Sequence, residues 1–347
     1  MNYSLLQRHT VEIYDLENHE CQIYKVPARS LLKSQRFDLF AKLFYIRNVE
    51  TEPEEACKVY AEHIKAFNPD GKEPGREDKN GVDDFIFAFD KLIAYFSAHE
   101  FDDTISIIPV DKNGVILDGG HRVAALAFFD RQVTIAQFGE VVSKCDFDYK
   151  YFMDRGLAWD VCDKIAWEMT RWLDDLFVAC LWPRLSGDKE KMEAIRELGR
   201  KHSISYVKKV NVNLESLCLF VAEIYKAQAW TTNHNAVCDK AMRINGDRGK
   251  KAWFVFFNTV SSLNDLLIEK EHLRDRFGNA KDSLHITDNI EETRQIASLI
   301  LTPEGLSLWQ IGAQFRLPLV IDEKWLYFKN VTWMNMKSKI WHLMHGL

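Results

Sequence analysis

The stretch from Thr104 to Phe129 leaves little choice of local fold. A β-branched run, Thr104 to Val110, is followed by Asp111-Lys112-Asn113-Gly114, a strong turn signal, and by a second short apolar run, Val115-Ile116-Leu117. Gly119-Gly120 breaks that run, and His121 to Phe129 is an alanine-rich amphipathic segment. The order predicted is strand, turn, strand, glycine pair, helix.

Such a glycine pair has chemical consequences. Two glycines let the backbone take positive φ and let its N–H groups approach a ligand without a Cβ in the way. A helix starting there aims unpaired N–H groups and the positive end of its dipole at the same spot. Arg122 can grip phosphate oxygens through two parallel hydrogen bonds. His121 can donate another bond or move a proton. Asp118, at the end of the strand, stands where a carboxylate holds Mg²⁺ or accepts a proton from an attacking hydroxyl. Gly119, Gly120, His121 and Arg122 are therefore the candidate phosphate ligands, Asp118 and His121 the candidate catalytic groups, and Asp118 the candidate Mg²⁺ ligand. The blander alternative is a plain turn followed by a solvated arginine.

The rest of the chain alternates. Val11 to Tyr14 and Cys21 to Val26 read as a strand hairpin, Phe37 to Arg47 and Pro53 to Phe67 as helices, Asn68 to Gly81 as a loop and Asp83 to Ala98 as a helix. Val133 to Phe138 reads as a strand. Phe147 to Leu198 looks mainly helical, with Trp159, Trp167, Trp172 and Trp182 spaced like a buried helical face. Beyond it, Ile204 to Val212, Ala252 to Phe257 and Ser283 to Ile286 read as strands. Leu214 to Ala227, Leu263 to Phe277 and Ile290 to Ile300 read as helices, and Leu319 to Asn330 as a hairpin.

Two more pairs of residues are candidate substrate or second-site groups. Arg36 and Asp38 flank Phe37 near a helix start and can meet substrate or phosphate; a surface ion pair with capping is the plainer reading. His285 and Asp288 sit at a strand end before a helix, a common ligand position in α/β folds. A simple N-cap role for Asp288, opening a capping box, competes with that reading.

Val115-Ile116-Leu117-Asp118-Gly119-Gly120-His121-Arg122-Val123-Ala124-Ala125-Leu126 resembles the signature of the ParB/sulfiredoxin superfamily. That pattern is a strand, an acidic or polar residue, Gly, a variable residue, His or Glu, Arg, and a small-residue helix. The strand and polar turn with which that fold begins are echoed by Ile23 to Leu32. The resemblance spans roughly Cys21 to Phe138, with a long helical insertion from Phe37 to Phe101. It implies a domain that binds nucleotide phosphates with this turn. Asp-Gly-x-His-Arg is most similar to the free-serine-kinase branch, where this aspartate and an N-terminal glutamate serve catalysis. Asp118 matches the first, whereas Pro27 to Leu32 contains no glutamate. Gly120 stands where sulfiredoxins carry a cysteine, which argues against sulfinic-acid reduction. The chain also resembles bacterial proteins of surface-polysaccharide loci in Arg36-Phe37-Asp38-Leu39, Asp118 to Arg122, Tyr149-Lys150-Tyr151-Phe152 and His285-Ile286-Thr287-Asp288, which implies a sugar or glycan end as acceptor.

The expectation is thus an α/β (α+β) chain with three parts. Residues 1–146 form a ParB/sulfiredoxin-like nucleotide-binding domain, 147–202 a helical connecting region, and 203–347 a C-terminal α/β domain. The expected activity is an ATP- and Mg²⁺-dependent phosphotransferase acting on a hydroxyl of a small molecule or glycan. The alternatives are a ParB-like, NTP-binding DNA-binding protein and a metal-dependent nucleotidyltransferase or nuclease. Charge weighs against nucleic acid: up to Lys150 there are 18 Lys and Arg against 26 Asp and Glu, and beyond it 27 against 25. Seven scattered cysteines without a Cys-x-x-Cys pair weigh against a disulfide framework or a cysteine zinc site and suit a reducing cytoplasm. No run of about 18 apolar residues predicts a membrane span, and the first residues lack signal-peptide order. A P-loop, a His-Glu-x-x-His zinc motif and a Gly-x-Ser-x-Gly elbow are all missing from the sequence.

Overall fold

Alternation and helical spacing in the sequence become an α+β fold in the computed structural model, which describes residues 2–314 apart from 73–78, 186, 227, 247–250 and 278–281. The described chain divides into two compact units. The first takes the chain up to Leu176, with His202–Tyr206 and Phe256–Val260; the second takes Phe177–Lys201, Val207–Val255 and the chain from Ser261 onward.

The first unit starts with a short helix, α1 (Arg8–Tyr14), and the strand β1 (Cys21–Pro27). Three helices follow: α2 (Phe37–Asn48), α3 (Pro53–Phe67) and α4 (Val82–Ala98). The strand β2 (Ile108–Val110), the helix α5 (Gly120–Phe128) and the strand β3 (Gln132–Phe138) complete the sheet region. In that sheet β3 is central, antiparallel to β1 and parallel to β2. The connection from β2 to β3 therefore crosses over through α5, as parallel neighbours require. Leu6, Val11, Leu16, Ile107, Ala136, Phe138 and Val141 form one buried apolar cluster. Every residue of α2 from Phe37 to Ile46 is buried, and α5 packs directly on it. Ala124, Ala125 and Ala127 make that approach possible because they add almost no side-chain volume. Two further helices belong to this unit, α6 (Tyr149–Asp154) and α7 (Trp159–Trp172).

A second sheet has the order β5-β6-β4-β7, built from β4 (Leu176–Leu181), β5 (Ser203–Asn211), β6 (Lys251–Asn258) and β7 (Leu284–Ile286). β4 and β7 run antiparallel with Cys180 opposite His285. The helices of this region are α8 (Gly187–Gly199), α9 (Leu214–Ile224), α10 (His234–Asn245), α11 (Leu263–Arg276), α12 (Ile290–Leu301) and α13 (Pro303–Gln314). β6 is apolar on both faces and buried from Ala252 to Phe257.

Several elements depart from expectation. Val11 to Tyr14 is the end of a helix, not the first strand of a hairpin; the Arg8–Glu12 pair, 2.7 Å apart on successive turns, is one local support for it. The expected strand from Thr104 shrinks to Ile108–Val110, because the Asp102 carboxylate accepts the Thr104 N–H and holds a turn there. Leu176–Leu181 is a strand within a stretch that reads as helical. Trp182 follows that strand rather than lying on a helix, and Trp159 is 50% exposed, so the four tryptophans do not share one buried helical face. The expected hairpin at Leu319 to Asn330 lies outside the described residues. All seven cysteines are free thiols. No helix among the described residues is long and apolar enough to cross a membrane.

Candidate functional site

A hairpin-like turn places the glycine pair. Asp111 N–H donates to Val115 O and Leu117 N–H to Pro109 O, each at 2.9 Å, and Ile116 bridges Val110. Instead of a full strand, Val115 to Leu117 thus makes one bridge. The Asp111 carboxylate fixes the turn by accepting the N–H groups of Asn113 and Val115 on one oxygen and of Ser143 on the other. Gly119 then takes φ 83° and becomes the N-cap of α5, where no side chain caps the helix. The first-turn N–H groups of Gly120, His121 and Arg122 consequently have no acceptor within the helix.

Gly120 is required by what lies beneath it. A Cβ there would come within 3.2 Å of both Arg36 Nη2 and Asp38 Oδ2. Arg36 grips Asp38 with two bonds, Nε to Oδ1 at 2.8 Å and Nη2 to Oδ2 at 2.9 Å, and gives Nη1 to the Ile116 carbonyl at 2.6 Å. One turn along α2, Lys42 Nζ donates to Asp38 Oδ2 at 2.9 Å. All three side chains are buried. Burial alone would raise the Asp38 carboxyl, but Arg36 and Lys42 outweigh it and hold the group far below the usual carboxylate range. The expected Arg36–Asp38 pair therefore exists, but as a buried ion cluster supporting the turn, not as a surface pair with capping; Arg36 makes no cap bond to α2.

Above this cluster lies a cavity of about 750 Å³, within the ~300–1,000 Å³ typical of small-molecule sites. Asp118, Gly119, Gly120, His121 and Arg122 all line it, as do Arg36 and Asp38. Arg122 Nη2 donates to Asp118 Oδ2 at 3.1 Å, with both side chains partly exposed. His121 Nε2 lies 2.7 Å from the Tyr60 hydroxyl. Packing around the ring and then the charge of Lys42 keep His121 well below the ordinary histidine value.

Three lining residues carry chemistry that the motif did not announce, Lys42, His63 and Lys79, and Tyr60 stands behind His121. Lys42 is four residues after Asp38, hence on the same helix face. Tyr60 and His63 sit on the buried stripe of α3, with Val59 and Ile64. His63 is only 1% exposed, and both of its ring nitrogens are sealed from solvent with no side-chain hydrogen-bond partner. Burial, then Lys42, push it well below the ordinary histidine value, against a weaker pull from Asp38 and the Tyr60 backbone. Lys79 is buried with its ammonium 4.7 Å above the Phe85 ring. Among the described lining residues Arg36, Lys42, Lys79 and Arg122 outnumber Asp38 and Asp118, a balance that favours an anion.

His285 and Asp288 are not among the cavity-lining residues. In the second unit His285 Nε2 lies 2.8 Å from Glu292 Oε1, and Asp288 accepts from Lys270 Nζ at 2.6 Å. Nor is Asp288 the N-cap of α12: Asn289 caps it by accepting the Glu292 N–H, while Glu292 reaches back to the Asp288 N–H at 2.8 Å. The expected capping box is therefore not formed: the cap lies one residue later, and Glu292 bonds the N–H of the residue before the cap.

Among the described residues no group of three or more His, Cys, Asp and Glu is placed to hold a metal ion. Asp118 alone offers one carboxylate oxygen beyond the Arg122 bond. That suits Mg²⁺ arriving with a nucleotide's phosphates, which needs only one or two protein carboxylates. No family model, no curated protein and no solved structure matches the chain.

Proposed function

We propose that the first unit is an ATP-dependent phosphotransferase acting on a hydroxyl, built on a ParB/sulfiredoxin-like nucleotide-binding turn. The observation that carries this reading is the uncapped N-terminus of α5, opened by Gly119 at positive φ, in a cavity whose described lining holds more cations than carboxylates. The N–H groups of Gly120, His121 and Arg122 would hold the phosphates, with Arg122 adding charge. Asp118 would hold Mg²⁺, which supplies charge neutralisation on the phosphates when bound. Where the metal is held by the phosphates alone, Asp118 would instead accept the acceptor's hydroxyl proton. In that transfer the acceptor oxygen bonds to the γ-phosphorus, the γ-phosphorus–oxygen bond to ADP breaks, and ADP leaves with the electron pair. The rest of the rate comes from positioning and preorganised charge.

Arg36, Asp38 and Lys42 would position the turn without touching the phosphates. The resemblance of Asp118 to Arg122 to the serine-kinase branch supports a hydroxyl as the receiving group. The test is ATP turnover with a panel of hydroxylated small molecules and sugars. Asp118→Asn is expected to lower an acceptor-dependent rate by about 10²–10⁴-fold. Equal background rates for wild type and variant would show that no phosphotransfer occurs at Asp118.

A further inference from the structure

The cysteines are scattered in sequence, but the second unit brings two of them together. Cys218 lies on α9 and Cys238 on α10, 20 residues later in the chain. Their sulfurs are 3.6 Å apart, with Cys218 Sγ placed to donate to Cys238 Sγ. His234, one turn earlier on α10, has its Nε2 3.4 Å from Cys238 Sγ. Both thiols are half-buried rather than sealed, unlike Cys162 and Cys180. The neighbouring sulfur, and then burial, push the Cys218 thiol far above its ordinary value, so Cys238 is the one that ionises first. Two thiols in contact can serve simply as small apolar packing groups. What sets this pair apart is an imidazole on one sulfur and room for a small oxidant to reach both.

We propose that Cys218, Cys238 and His234 form a redox-active dithiol site that a peroxide closes to a disulfide. The inference is independent of the phosphotransferase reading, since all three residues belong to the second unit. With its own proton on Nδ1, His234 takes the Cys238 proton at Nε2. The thiolate sulfur attacks one peroxide oxygen, the O–O bond breaks, and the departing oxygen recovers that proton from His234 and leaves as water. Cys238 is then a sulfenic acid. The Cys218 sulfur attacks the Cys238 sulfur, the S–O bond breaks, and hydroxide leaves with the Cys218 proton as a second water. The two thiols lose two electrons and the peroxide gains them. The sulfurs have to close from 3.6 Å to about 2.0 Å, which is within the swing of two Cβ–Sγ bonds.

The test treats the full, reduced chain with equimolar hydrogen peroxide, alkylates the remaining thiols and digests with trypsin. Cleavage after Lys209, Lys226 and Lys240 puts Cys218 and Cys238 on separate peptides, 210–226 and 227–240, so a disulfide between them is read by mass. That linked pair should be the main product, while Cys21, Cys57 and Cys145, which are also half-buried, stay mostly reduced. Cys218→Ser should leave a dimedone-reactive sulfenic acid at Cys238, and Cys238→Ser should leave Cys218 reduced. His234→Gln should slow oxidation of Cys238 about tenfold or more at pH 7, with the other thiols reacting as in wild type, because an ordinary thiol of pKa about 8.5 is only ~3% ionised there. No link, links spread over other cysteines or between chains, or a 218–238 link that forms only in urea would overturn the proposal. An unchanged rate in His234→Gln would overturn the role given to the histidine.

Discussion

His63 and His285 are both buried histidines with depressed proton affinity, and both have carboxylates nearby, yet they are held differently. His285 is closed: Glu292 takes its Nε2, Asp288 is spent on Lys270, and Glu292 also serves the start of α12. His63 is not held in this way: no side chain hydrogen-bonds its nitrogens, and Lys42 and Asp38 act on it only through their charges. The same residue type is therefore locked by a carboxylate in one unit and packed without one in the other. What separates them is whether a side chain satisfies the ring.

The largest expected effect sharpens this contrast through Asp38. Replacing it with Ala strands the Arg36 and Lys42 charges in the interior, and urea unfolding should show a loss of about 3–5 kcal/mol. Glu292→Gln, which keeps a carbonyl oxygen to accept from His285 or from the Asp288 N–H, should cost about 1–2 kcal/mol. A larger cost for Glu292→Gln would reverse the comparison, making the second cluster the critical one.

Acidification separates the two histidines next. His63 holds its proton less tightly when folded than when unfolded, so its contribution is complete above about pH 6.5 and drains as pH falls toward its lowered native value. The slope is about 1.4 kcal/mol for each pH unit below 6.5. Urea midpoints at pH 7.5 and pH 5.5 should therefore differ less in His63→Gln than in wild type. His285→Gln should change that difference less, because Glu292 counteracts the burial of His285. Asp38 contributes with the same sign but far lower on the scale: Arg36 and Lys42 keep it ionised, and its stabilisation goes only in strong acid. Equal pH dependence in both histidine variants would mean that the two sites are electrostatically alike.

A smaller effect concerns the turn. Gly119→Ala forces an L-residue into φ 83°, at about 1–2 kcal/mol. Thermal unfolding checks it. A neutral result would mean that the turn can relax, and that its geometry is not fixed as the phosphate reading needs.

The sequence announced the turn well because glycine spacing and helix periodicity are local. α2 to α5, β1 and β3 follow from the same kind of signal. Leu176–Leu181 was illegible for a physical reason: a strand buried on both faces carries no alternation, so it looks like any apolar run. Val11 and Tyr14 are separated by three residues, which suits a helix, while Val11 and Ile13 suit a strand; four residues cannot decide. α10 and α13 matched no expected element. In the site, Asp118 to Arg122 were legible as a motif. Arg36 and Asp38 were legible as a pair, although their burial was not. His63 looked like one more residue on the apolar face of α3, and only the three-dimensional packing reveals that its nitrogens are sealed in without a side-chain partner.

Isothermal titration calorimetry with a non-hydrolysable ATP analogue and Mg²⁺ tests the phosphate-binding turn most directly. Wild type should bind, and Arg122→Gln should bind about tenfold or more weakly because a charge-assisted phosphate bond is lost. No binding by wild type, or equal affinity in the variant, would contradict the placement of phosphates at Gly119 to Arg122.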